Sequence, residues 1–179
     1  TRDVTEGDTV TLGALSGRVM LTEGHMNEHI SFVFGDVVFC GDTMFAGGCG
    51  YLFDGPPAKM HDSLMRLAAL SAETRVCCAH EYTEDNLKFA WFVEPDNETL
   101  AERIRDVWAR RARGECTVPS TIGMERATNP FLRPGSATLR ARVIAESGGD
   151  PKSFEDVFAA TRALKNTGAH KALTDADLP

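Results

Sequence analysis

The stretch Val38-Phe39-Cys40-Gly41-Asp42-Thr43-Met44-Phe45-Ala46-Gly47-Gly48-Cys49-Gly50 constrains the fold more than any other part of the chain. A short apolar run feeds a single carboxylate and then a glycine-dense loop, the pattern of a buried strand that delivers a ligand to a pocket at its end. Two histidines flank it. His29 closes Gly24-His25-Met26-Asn27-Glu28-His29, and His80 follows the apolar Val76-Cys77-Cys78-Ala79. Each sits at a strand boundary. Three such ends converging would set two imidazoles and a carboxylate in one cleft, a donor set that suits zinc or iron.

The neighbouring pattern supports strands at that point and helices later. Residues 9–12 and 17–21 read as short strands separated by Gly-Ala-Leu-Ser, and 29–34 and 37–40 as a hairpin turning at Gly35-Asp36, with a further buried strand over 74–79. Asp54-Gly55-Pro56-Pro57 breaks the chain ahead of a helix whose Met60, Leu64, Leu67 and Ala68 share one face. A second helix covers 84–93 and stops at Pro95; a third is capped by Asn97, with Leu100, Ile104, Val107 and Trp108 on its apolar stripe. After Gly114 the reading is a proline-bearing connection, a helix near 137–146, and a last helix with Pro151 at its first position. The fold class is α+β. A domain boundary is expected near residue 95, with an α/β part over 1–95 and a helical part over 96–179.

With 179 residues, 42% hydrophobic and 25% charged, the chain has material for one core or one core with a small satellite. A net charge of −7 argues against nucleic acid or an anionic membrane as partner. No apolar run approaches the ~20 residues of a membrane span and no signal peptide is visible, so the expected location is the cytoplasm. Five cysteines show no C-x-x-C pair and no disulfide framework, and Cys40, Cys77 and Cys78, inside apolar strands, read as small buried fillers. The opening at Thr1 without a methionine, in what reads as the middle of a fold, leads us to expect a fragment of a longer reading frame.

Taken one at a time, these residues have plainer readings. A lone histidine is more often a satisfied structural group, Asp42 before Thr43 suits a turn cap, and Arg162 and Lys165 suit a solvated helix face. His25, His61 and His170 have no evident partner and default to exposed or structural roles. Glu81 suits an orienting role beside His80 as well as a chemical one.

Together and in order, the motifs carry more. Gly24-x-x-x-x-His29, Phe39-Cys40-Gly41-Asp42-Thr43, Gly48-Cys49-Gly50, Cys78-Ala79-His80-Glu81-Tyr82-Thr83, Asn86-Leu87-Lys88-Phe89-Ala90 and Asn129-Pro130-Phe131-Leu132-Arg133 resemble the metallo-β-lactamase superfamily, and within it the glyoxalase II (hydroxyacylglutathione hydrolase) family. The resemblance implies the C-terminal half of an αβ/βα sandwich followed by a helical substrate-binding domain. It implies two divalent metal ions, zinc first with iron or manganese as alternatives. His29 would hold the first metal, Asp42 would bridge both as the catalytic carboxylate, and His80 would hold the second. Such a pair lowers the pKa of coordinated water from ~15.7 to about 7, so no protein nucleophile is needed.

The implied reaction is hydrolysis of an S-2-hydroxyacylglutathione, typically S-lactoylglutathione, in methylglyoxal detoxification. The implied substrate contacts are Tyr51, Leu52, Phe53, His80, Glu81, Tyr82, Phe89, Arg162 and Lys165, the last two sharing a helix face suited to the glycine carboxylate of glutathione. Three departures stand out. Tyr51 occupies a position that is usually basic, Glu28 replaces a small residue beside His29, and the Thr-His-x-His-x-Asp-His segment that supplies the other ligands does not occur. An N-terminal half is therefore expected in the full protein, and this chain alone is expected to bind metal poorly and be inactive. The alternatives are another metallo-β-lactamase-fold hydrolase, a glutathione persulfide dioxygenase, or a truncated non-enzymatic binding protein.

Overall fold

A computed structural model describes residues 2–179. Eight strands form in chain order: β1 (Thr9–Leu12), β2 (Leu15–Leu21), β3 (Ile30–Phe34), β4 (Val37–Gly41), β5 (Met44–Phe45), β6 (Gly48–Cys49), β7 (Arg75–Cys78) and β8 (Ser120–Thr121). Six of them build a sheet in the order β1-β2-β3-β4-β7-β8, while β5 and β6 form a separate small hairpin. The turns explain the tight pairings. Gly13 and Gly35 take positive φ of 59° and 55°, which lets two-residue turns join Leu12 to Leu15 and Phe34 to Val37. The first turn is shorter than expected, so β2 starts at Leu15 rather than at residue 17.

The parallel pairing of β4 with β7 decides which loops meet at the sheet edge. Parallel neighbours need a crossover, and it is supplied by α1 (Pro57–Ala68), which starts with proline at its first position. Its Met60, Leu64 and Leu67 are fully buried, each worth about 1.5–3 kcal/mol relative to exposure. They pack with Val38, Cys40 and Val76, the helix-facing residues of the two strands. Strand alternation sends Phe39 to the other face, where it is 48% exposed.

The remaining helices are α2 (Thr83–Val93), α3 (Glu98–Ala112), α4 (Ile122–Thr128), α5 (Ala137–Ser147) and α6 (Phe154–Thr167), followed by short 3-10 turns. Asn97 caps α3 as expected, its side chain accepting the Leu100 N–H. The last helix begins three residues after Pro151, because Ser153 and Asp156 form a reciprocal capping box there. Both β8 and α4 lie within what reads from sequence as a plain connection.

Helices beyond residue 95 pack directly onto the sheet. β8 returns to pair with β7, and Ile122, Phe131, Leu139, Val143, Val157 and Phe158 join the same cluster as the sheet residues. A second, smaller seam between α2 and α3 holds Leu87, Ala90, Leu100, Ile104 and Val107. No helix among the described residues is long and apolar enough to cross a membrane.

Candidate metal centre

Parallel strands end at the same sheet edge, so β4 and β7 deliver their following residues side by side. Gly41 pairs with Cys78, which puts Asp42 and His80 just past the carboxyl ends of adjacent strands. β3 runs antiparallel to β4, so the loop over residues 22–29 that leads into β3 reaches that edge as well. The parallel register thus sets Asp42 and His80 side by side, with the 22–29 loop beside them.

Asp42 presents its two oxygens to two different imidazoles. Oδ1 lies 3.5 Å from Nε2 of His80, and Oδ2 lies 3.6 Å from Nε2 of His25. Oδ1 is buried and has no hydrogen-bond partner among the described residues. On the far side of its ring, His25 donates from Nδ1 to the Tyr51 carbonyl at 2.8 Å. A carbonyl only accepts, so Nδ1 carries a proton, and the other ring nitrogen, Nε2, faces the Asp42 carboxylate. An imidazole nitrogen and a carboxylate oxygen at this distance are donors of the kind that hold a divalent cation, and a bond from the other ring nitrogen to a carbonyl is the outer-sphere contact that orients metal-binding histidines. Each Asp42 oxygen thus faces one histidine. Among the described residues, no group of three His, Cys, Asp or Glu side chains is arranged to hold a metal ion. The donors fit divalent ions in kind, as neutral imidazole and carboxylate.

His25 is therefore the candidate site residue that sequence reasoning passed over. His29 is half-buried, its Nδ1 lying 3.0 Å from the Thr43 hydroxyl and 3.2 Å from that of Thr22. The Thr43 hydroxyl donates to the Thr22 carbonyl at 2.9 Å, which leaves it to accept from His29. Burial, then the nearby His25, lowers the His29 pKa, against the opposing pull of Asp42. The bonds of His29 hold the Asp42 turn to the loop before β3, and it has no direct contact with Asp42 among the described salt bridges and hydrogen bonds.

The glycines serve close approach. A Cβ on Gly41, at φ 51°, would lie 2.8 Å from His29 Nε2, and one on Gly50 would lie 2.0 Å from the Asp42 carbonyl oxygen. Aromatic rings flank both histidines. Phe53 packs against His25 at 5.1 Å and against Tyr51 at 4.9 Å, while Tyr82 stacks on His80 at 5.1 Å. Tyr51, Phe53 and Tyr82 are exposed and Leu52 is half-buried, so these expected contact residues line the rim of the site.

Four expected substrate contacts face elsewhere. Phe89 is 0% exposed, stacked on Phe131 at 5.8 Å, because it occupies the inward face of α2. Arg162 is 6% exposed; it lies over the Phe131 ring and donates to the Cys49 carbonyl at 3.1 Å and to Asn166 at 2.8 Å. Lys165 is bound to Asp85 at 2.9 Å, and burial outweighs that pairing to lower its pKa. Glu81 accepts from the Thr117 N–H and hydroxyl at 2.6 and 2.7 Å, which anchors the connection after α3 and lowers the pKa of its carboxyl. The default for His170 also changes. It is buried against Phe89 and bonded to Asp85 at 3.1 Å.

The family model described as hydroxyacylglutathione hydrolase C-terminus matches residues 81–168. Among curated proteins, the hydroxyacylglutathione hydrolase of Pseudomonas fluorescens (strain SBW25) is 48% identical over 167 residues, covering 92% of this chain and 66% of the relative. That of Gloeobacter violaceus is 51% identical over 168 residues, covering 93% of this chain and 64% of the relative. The chain thus spans about two thirds of the length of the curated relatives it matches. Among solved structures, ETHE1 from Myxococcus xanthus aligns with a TM-score of 0.53 at 27% identity, covering 92% of this chain and 60% of that one. A metallo-beta-lactamase from Staphylococcus aureus aligns with a TM-score of 0.51 at 19% identity, covering 92% and 43%, which speaks for the fold alone. Residues 81–168 match the hydroxyacylglutathione hydrolase C-terminal family, the chain is similar along most of its length to proteins named hydroxyacylglutathione hydrolase, and it shares the fold of part of a metallo-beta-lactamase.

Proposed function

We propose that this chain contributes to a metal-dependent thioester hydrolase that cleaves S-2-hydroxyacylglutathione, with S-lactoylglutathione as the typical substrate, to glutathione and a 2-hydroxy acid. The observation that carries the reading is Asp42, whose oxygens face two separate imidazoles while Oδ1 stays buried without a partner. His25, Asp42 and His80 are the residues that would hold metal, with Asp42 shared between two ions. His25 takes the place expected from sequence for His29.

Divalent ions bound there would supply Lewis-acid polarisation of the thioester carbonyl and lower the pKa of water to about 7. In the overall reaction water adds to that carbonyl, the C–S bond breaks, and the thiol leaves with a proton. The chain's own part is to fix donors and seat the substrate. The Tyr51 carbonyl fixes the His25 ring, and Tyr82 fixes that of His80 by stacking. The exposed Tyr51, Phe53 and Tyr82 give the substrate aromatic surface and phenolic hydrogen bonds beside the reacting carbon. Zinc is the first candidate, with iron and manganese as alternatives for a histidine and carboxylate donor set.

The 48% and 51% identities to proteins named hydroxyacylglutathione hydrolase support thioester hydrolysis over the other reactions considered from sequence. The test is S-lactoylglutathione hydrolysis by the protein expressed from its whole reading frame, with elemental analysis of the same sample. Metal with turnover, both lost in Asp42→Asn, supports the proposal. Turnover that survives in Asp42→Asn, or a metal-free protein that only binds glutathione conjugates, refutes it.

A further inference from the structure

The β5–β6 hairpin has one side on the candidate centre and the other on the helices. On the centre side, Phe45 packs 5.3 Å from the Tyr82 ring and 6.2 Å from that of His80. The chain leaving β6 places Gly50 against Asp42 and brings the Tyr51 carbonyl to His25. On the helix side, every residue from Phe45 to Cys49 is gripped through its backbone. Asn129 donates from Nδ2 to the carbonyls of Gly48 at 3.0 Å and Phe45 at 3.4 Å, and Asn86 donates to that of Ala46 at 3.2 Å. Glu125 accepts the Gly47 N–H at 2.8 Å, and Arg162 holds the Cys49 carbonyl. Gly47 and Gly48 admit this approach, since a Cβ on either would lie 2.8 Å from Leu87 or 2.5 Å from Asn86.

Glu125 is the hub. It is fully buried; its Oε2 also accepts from Asn129 at 2.9 Å, and its Oε1 accepts from Arg103 at 2.6 Å and from Ser120 at 2.5 Å. A buried ion pair of this kind often adds little net stability compared with an apolar core of similar volume, because both charges lose their hydration. A fully bonded polar network does impose a single geometry. Here that geometry is imposed on the five residues that lead into the metal-facing loop.

We propose that Glu125 and Asn129 are positioning residues of the candidate metal centre, fixing the hairpin that seats His80 through Phe45 and Tyr82, and His25 through the Tyr51 carbonyl. The inference rests on the metal-centre reading proposed for Asp42. It gives the helical part a role in assembling the site, separate from any contact with substrate.

The test uses Asn129→Ala and Glu125→Gln, with Val143→Ala as a control that destabilises the core in α5 outside the network. Zinc affinity is measured by chelator competition, and the His25 and His80 ring signals are followed by NMR in metal-free protein. Loss of an outer-sphere partner typically costs about 10–100-fold in metal affinity. Neither Asn129 nor Glu125 bonds a ligand directly, so a fall of up to about tenfold is expected for both network variants, together with displaced ring signals. Val143→Ala is expected to lower the melting temperature while leaving affinity and ring signals as in the unaltered protein. Unaltered affinity and ring signals in folded Asn129→Ala overturn the proposal. Should Glu125→Gln fail to fold because Arg103 is left unpaired, Asn129→Ala decides alone, as it removes no charge. An unaltered protein that takes up no zinc refutes the metal-centre reading instead, and the ring signals of the metal-free variants still decide the positioning role.

Discussion

Gly50→Ala is the most sharply defined perturbation of the site. The added Cβ would lie 2.0 Å from the Asp42 carbonyl oxygen and 3.0 Å from His25 Nδ1, whereas ordinary contact begins at 3.4 Å. The loop or the Asp42 turn must therefore yield by about 1.4 Å. Overpacking of this order costs about 1–3 kcal/mol, and a misplacement of ~1 Å in a catalytic constellation can cost about 10²-fold in rate. At about 2–4 °C per kcal/mol for a chain of this size, the melting temperature should fall by roughly 2–12 °C.

Gly35→Ala separates strain from function. Gly35 also has positive φ, 55°, but no atom lies within 4 Å of its would-be Cβ. It should lose about 1–2 kcal/mol of stability from left-handed strain and keep its hydrolysis rate. Thioester hydrolysis and zinc affinity, both measured well below the melting temperature, form the assay. A Gly50→Ala protein with both within twofold of the unaltered protein refutes the close packing of this loop on Asp42 as a condition of function.

Phe89→Ala should cost about 3–5 kcal/mol and leave the KM for the thioester unchanged, because its ring lies in the core; a raised KM at unchanged stability, seen in denaturant melts and kinetics, contradicts that placement. Asn97→Ala should cost about 1 kcal/mol in urea titration through loss of the α3 cap. Burial, then the charge of Lys165, holds the His170 pKa below its ordinary value against the pull of Asp85. The folded state therefore prefers neutral His170, so its share of stability is complete above the unfolded pKa of about 6.5 and declines as pH falls from there toward the lower folded value. His29, shifted the same way, adds to the trend. Urea melts from pH 7.5 to 5 should show this loss, and it should be smaller in His170→Gln.

The sequence displays local physics clearly and long-range facing poorly. Gly35-Asp36 between apolar runs could only be a tight hairpin, and Asn97 ahead of an amphipathic run could only start a helix; both formed. Ser153 starts α6 because its capping box with Asp156 satisfies the first-turn N–H groups, a signal that Pro151 upstream obscures. β8 and α4 are short, and Pro119 and Gly123 mask them; tertiary packing beside β7 and Glu125 makes them regular. At the site, Asp42 and His80 are legible because each follows an apolar strand. The choice between His25 and His29 depends on which ring the loop over 22–29 turns toward Asp42, which spacing alone does not encode. Phe89 and Arg162 lie on helices that border the centre, yet only packing reveals that their side chains point inward.

If Asp42 joins two metal half-sites, one through His25 and one through His80, metal content should follow those three residues and ignore His29. The most direct measurement is zinc stoichiometry by elemental analysis of the protein from its whole reading frame, alongside His25→Ala, His80→Ala, His29→Gln and Asp42→Ala. His25→Ala and His80→Ala should each lose one metal of a pair, Asp42→Ala should lose both, and His29→Gln should keep the full complement. A protein that loses metal in His29→Gln and keeps it in His25→Ala, or one whose metal survives Asp42→Ala, contradicts it.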